Sequence, residues 1–223
     1  MTATQQKAAR PAAQPPLSSP SGLPRSPNGG TVGYAPLDLS RLVGLAAVVF
    51  SAVYFASDVI EVAQGGFSTT RLVLTYIGEA AIPLFVIGLY AVQRPRIGRL
   101  GLFGAIAFAY SYVFFTTTVM YALVAGTANY KALTKVFGAW MTVHGVIMLL
   151  GGVAFGLAVA AGGVLPRWTG ICLIAGVVLV VAASGLPNLD RAIAAAFPAA
   201  AFTGMGVALL NRRRLAHLPA APQ

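Results

Sequence analysis

Charge is scarce in this chain. Only 9% of its 223 residues are Asp, Glu, Lys or Arg, and just five of those are acidic, where a soluble domain carries roughly 25% charged residues. With 57% of the residues hydrophobic, there is too little polar surface to wrap the chain as an ordinary soluble fold. The single cysteine, Cys172, excludes an intramolecular disulfide, a CxxC redox pair and a thiolate metal cluster. There are two histidines, and His217 lies in the polar tail after Arg214; one buried histidine cannot ligate haem from both sides. The chain has no HExxH, GxSxG, Walker loop or GxGxxG fingerprint, which removes the motif-bearing enzyme classes. No cofactor or metal centre is expected, and an enzyme is the less favoured reading.

What the chain does have is long apolar runs. Six spans are expected, at 42–63, 72–92, 100–124, 136–160, 169–184 and 192–210. At about 1.5 Å of rise per residue, about 20 residues cross a hydrocarbon core of about 30 Å, so the fifth span is the short one. Helices are expected rather than barrel strands, because the runs lack apolar/polar alternation and every backbone group must be paired within lipid. The predicted fold is therefore all-α, a polytopic bundle of six transmembrane helices spanning residues 37–214. The Pro/Ala/Ser-rich residues 1–36 are read as a disordered cytoplasmic tail rather than a cleaved signal, because the first run is long and puts aromatics where a cleavage site wants small residues. A short tail, 215–223, ends the chain.

The net charge of +10 does not point to nucleic acid, because nearly all basic residues flank apolar runs. Lys7, Arg10, Arg25, Arg41, Arg94, Arg96, Arg99, Arg167, Arg212, Arg213 and Arg214 fall on one side; Arg71, Lys131, Lys135 and Arg191 fall on the other. Eleven against four places both termini in the cytoplasm, a parity that six spans satisfy.

The expected partner is the bilayer, with homo-oligomers or a second membrane protein as further possibilities. A Gly152-x-x-x-Gly156 step on the fourth span reads as close helix packing, against either a neighbouring helix or another copy. A faint echo between spans two/three and four/five, about 68 residues apart, suggests a repeated hairpin.

Ionisable residues inside lipid cost about 2.5 to 3.5 kcal/mol each on insertion scales and so call for partners. Glu79 sits roughly 11 Å below the outer edge of the second span and His144 roughly 12 Å below that of the fourth. Equal depth permits a carboxylate–imidazole pair able to carry protons. Asp58 and Glu61 lie on a small and polar stripe of the first span; they either rim an outward-facing pocket or simply end the helix in water. Pro83 removes the hydrogen bond that the Glu79 carbonyl would accept. Thr117 and Tyr121 add polar material to the outer half of the third span. Asp58, Glu61, Glu79 and His144 have acceptable metal-ligand chemistry, but nothing in their spacing fixes a site.

The segment Gly163-Val164-Leu165-Pro166-Arg167-Trp168-Thr169-Gly170 resembles a cytoplasmic turn, G-x-LPRW-x-G, of small bacterial multi-pass membrane proteins of unassigned activity. The resemblance implies a bacterial plasma membrane and carries no residue role. The functional expectation is an integral membrane protein that binds or moves a small solute or proton through an outward-facing polar pocket. The alternative is a non-catalytic accessory or assembly subunit of a membrane complex.

Overall fold

The computed structural model describes residues 38–216, with side chains through residue 211. The expected tail at 1–36 and the end of the chain beyond 216 lie outside the described residues. Among the described residues there are seven helices and no strand: α1 (Leu39–Gln64), α2 (Thr69–Gln93), α3 (Gly98–Ala125), α4 (Tyr130–Phe137), α5 (Ala139–Gly162), α6 (Arg167–Ala182) and α7 (Asn188–Ala216). Five of them, α1, α2, α3, α5 and α7, are long and apolar enough to cross a membrane. This is a membrane-embedded helical protein. The fifth expected span appears as α6, an apolar helix of 16 residues.

Local chemistry sets the helix ends. Asp38 caps α1 by accepting from the Ser40 amide at 3.1 Å, and Ser68 caps α2 through the Arg71 amide at 3.3 Å; each satisfies a donor that the first turn leaves free. The apolar run read as one span at 136–160 is in fact divided. Val136 and Phe137 end a short amphipathic helix, α4, and Gly138 at φ 53°, ψ −127° turns the chain into α5, a conformation that side chains with a Cβ rarely adopt. Asn129 starts α4 by accepting from the Ala132 amide. Leu133 then packs with Leu72, Val119 and Ala122 into a small cluster of its own.

The six longer helices follow one another around the bundle: α1 packs on α2, α2 on α3, α3 on α5, α5 on α6 and α6 on α7, and α7 returns to α1. Glycine makes most of these contacts close. A Cβ at Gly44 would stand 2.9 Å from the Gly206 carbonyl across α1/α7, and one at Gly78 would stand 2.8 Å from Tyr54 Cβ across α1/α2. Gly151 lies against the Phe108 amide (α5/α3), Gly156 against the Gly170 carbonyl (α5/α6) and Gly176 against Pro198 (α6/α7). In lipid, association depends on such close packing, because tails are as apolar as leucine. The α2/α3 contact is the exception, since no glycine of either helix has its nearest neighbours there. A groove of about 360 Å³, lined by Tyr76, Pro83, Val113, Thr116 and Met120 among others, opens between those two helices.

Phe85, Phe108 and Phe202 meet in the middle of the bundle. Phe85 and Phe202 stand edge to face at 5.1 Å, and Phe108 lies 5.9 Å from Phe202. All three are buried, so the centre of the bundle is filled by rings from α2, α3 and α7.

Candidate functional site

The buried acids Glu61 and Glu79 and the polar side chains near them form two layers on one side of those rings. The first is ionic. Glu61, in the last turn of α1, is 3% exposed. Its Oε2 lies 2.6 Å from Arg71 of α2, and its Oε1 lies 3.1 Å from Arg191 of α7. Each guanidinium also covers an aromatic ring: Arg71 lies over Phe67 at 4.3 Å, and Arg191 over Tyr130 of α4 at 4.1 Å. Asn188 sits 3.4 Å from the same Arg191 nitrogen. One carboxylate thus ties three long helices together, and the short helix closes over it. A buried acid with a cation on each oxygen is a neutralised anchor, and stripping one member would leave uncompensated charge. Glu61, expected at the rim of an open pocket, is instead sealed in this cluster.

The second layer is reached through hydroxyls. Thr75 donates to Ser57 Oγ at 2.9 Å, and Ser57 donates to the Tyr54 carbonyl at 2.6 Å. Tyr54 also packs against Gly78, the neighbour of Glu79 in α2. Glu79 is 6% exposed, and its Oε2 has no partner; Asp58 Oδ2 is likewise buried and unpartnered. Tyr112 of α3 is buried as well. Tyr112 leads directly to the aromatic centre, 5.0 Å from the Phe108 ring. Neither Asp58 nor Glu79 forms an ion pair among the described residues. α2 runs through Pro83 without a break, and its Glu79 carbonyl lacks the usual helix donor.

Three of the residues expected in this pocket stand elsewhere. His144 packs face to face on Phe114 with ring centroids at 3.7 Å, and its Nδ1 lies 2.9 Å from the Trp140 carbonyl of its own helix. It does not meet Glu79. Because α5 begins at Ala139, His144 is only about 7.5 Å along its helix, whereas Glu79 is about 15 Å along α2; α5 also packs on α3 and α6 rather than on α2. Thr117 is exposed and bonds back to the Val113 carbonyl at 3.0 Å, the common self-satisfaction of threonine in helices. Tyr121 is 41% exposed and meets Phe137 edge to face at 5.3 Å. Gly152 and Gly156 both face α6 of the same chain, Gly152 against Val177 and Gly156 against Ile174 and the Gly170 carbonyl. The four residues weighed as metal ligands do not converge, and no group of three or more His, Cys, Asp or Glu side chains placed to hold a metal occurs among the described residues.

Sequence reasoning missed Arg71 and Arg191, which it treated as loop charges, and Tyr112. A signal for the arginines was present. Each stands within the first turns of an apolar helix, on the side where Glu61 ends its own. Compared with known proteins, the chain matches no family model, no curated protein and no solved structure.

Proposed function

We propose that this protein is a six-span protein of the bacterial plasma membrane, with both termini in the cytoplasm, and that it passes protons through the carboxyl pair Asp58 and Glu79. Topology first: Glu61 at the end of α1 contacts Arg191 near the start of α7, so those two helix ends lie on one side of the bundle. That arrangement supports counting the short α6 as a crossing. It also bears on the charge rule. Of the four basic residues on the outer side, Arg71 and Arg191 share the one carboxylate of Glu61 within the bundle, so they answer to that acid and not only to the side of the membrane on which they lie.

The observation that carries the functional reading is the pair of unpartnered carboxylate oxygens beneath a sealed ionic layer. Buried polar atoms are normally satisfied, and intramembrane acids that are not mark ion and proton routes. A proton suits the site better than a larger solute, because Gly78 lies hard against Tyr54 beside Glu79 and the phenylalanines close the space beyond Tyr112. Asp58 takes a proton from outer-side water when the Glu61 cluster loosens. The Tyr54 hydroxyl accepts that proton on its oxygen while giving its own to Glu79, which leaves tyrosine unchanged; Glu79 then releases the proton to water admitted from the cytoplasmic side when the Phe85, Phe108 and Phe202 rings part, which returns it to the carboxylate for the next proton.

The test is proton uptake in liposomes loaded with a pH-sensitive dye and driven by a potassium diffusion potential. Wild-type protein should acidify the lumen, and Glu79→Gln should cut the rate at least about tenfold, equivalent to about 1.4 kcal/mol of barrier. Equal rates in the two would refute the reading. An absence of flux together with a stoichiometric partner in mild-detergent pull-downs would favour the accessory-subunit alternative.

A further inference from the structure

At the end of the bundle opposite Glu61, the α2–α3 and α5–α6 turns meet. Ile97 is buried there, and a Cβ at Gly162 would stand 2.5 Å from Ile97 Cγ2, so the two turns are packed on each other rather than independently mobile. Between them lies a cavity of about 330 Å³ lined by Gln93, Arg94, Arg96, Gly163 and Val164, among others.

Two features of the lining are unusual. Arg94 and Arg96 are exposed and form no ion pair among the described residues, in contrast to Arg71 and Arg191. Gln93 is fully buried; its Nε2 donates to the Leu89 carbonyl at 2.9 Å, while its Oε1 has no partner. A buried amide oxygen without a donor is an unmet requirement. Helix propensity does not account for a glutamine here, since leucine would serve α2 equally well.

We propose that this cavity is a binding site for a phosphate ester that also carries a hydroxyl group. The two guanidiniums take the phosphate oxygens through charge-assisted hydrogen bonds, and the hydroxyl donates to Gln93 Oε1. A basic pocket between helix ends at a membrane interface is suited to an anionic headgroup. A glycerol-type phospholipid and a soluble glycerol phosphate offer the same chemistry. The site is independent of the proton route, and its test does not read flux.

Native mass spectrometry of the full-length protein, with phosphatidylglycerol or phosphatidylcholine added, reads the site directly. Wild-type protein should retain phosphatidylglycerol about tenfold better, given the weight of two interfacial arginines. R94Q/R96Q should lose that preference, and K131Q/K135Q, with the same change in net charge, should keep it. Gln93→Met should abolish discrimination between phosphatidylglycerol and phosphatidylmethanol, which lacks the hydroxyl. Displacement of the lipid by free glycerol 3-phosphate would identify the soluble ester as an occupant, and resistance to displacement would identify the lipid; either supports the site. Unchanged retention in R94Q/R96Q, or equal loss in K131Q/K135Q, would overturn it.

Discussion

Glu61 and Glu79 are both glutamates buried in the same helical bundle, yet they are treated in opposite ways. Glu61 has a guanidinium on each oxygen; Glu79 has no ion pair among the described residues and an oxygen without a partner. The difference separates an acid that holds helices together from an acid held in readiness. A satisfied buried ion pair is locked by what its loss would cost, whereas an unsatisfied acid contributes nothing to stability that would explain its presence.

That contrast is open to direct attack. Glu61→Ala should give the largest effect, about 3 to 5 kcal/mol of destabilisation, because it strands the buried Arg71 and the half-buried Arg191; reversible unfolding in detergent would measure it, and a loss under about 1 kcal/mol would put Glu61 in the same class as Glu79. Glu79→Gln should do the reverse, costing the tenfold or greater loss of proton flux with less than about 1 kcal/mol of stability, since the amide keeps the shape of the acid. Tyr130→Ala removes the ring under Arg191 and should cost about 0.5 to 1 kcal/mol, seen as a small fall in Tm with flux retained. His144→Ala should have the smallest functional effect. Flux should stay within about twofold of wild type, and stability should fall by roughly 1 kcal/mol for the lost ring stacking. A flux defect as large as that of Glu79→Gln would restore the histidine to the pathway and break the comparison.

The helices were legible because hydropathy over about twenty residues is a statement about solvent. The division at Gly138 was not, because Val136 and Phe137 are apolar and read as the start of the next span; their amphipathic helix lies across the end of the bundle, covering Leu72 and Val119. A polar acid layer was also partly legible, since Asp58 and Glu79 are conspicuous in apolar surroundings. Its membership was not. Depth along a helix can be counted from sequence, but direction around the axis relative to a neighbour cannot, and α3 stands between the helices of Glu79 and His144.

By itself, the sequence determined that this chain lives in lipid as helices, because hydrocarbon leaves the backbone no other way to pair its polar groups along runs of this length. Only the tertiary structure decided which helices are neighbours and which acid is neutralised. Those outcomes rest on close fits such as Gly44 on Gly206 and Gly156 on Gly170, where the absence of one methyl group sets how near two backbones come, and with it which side chains can touch.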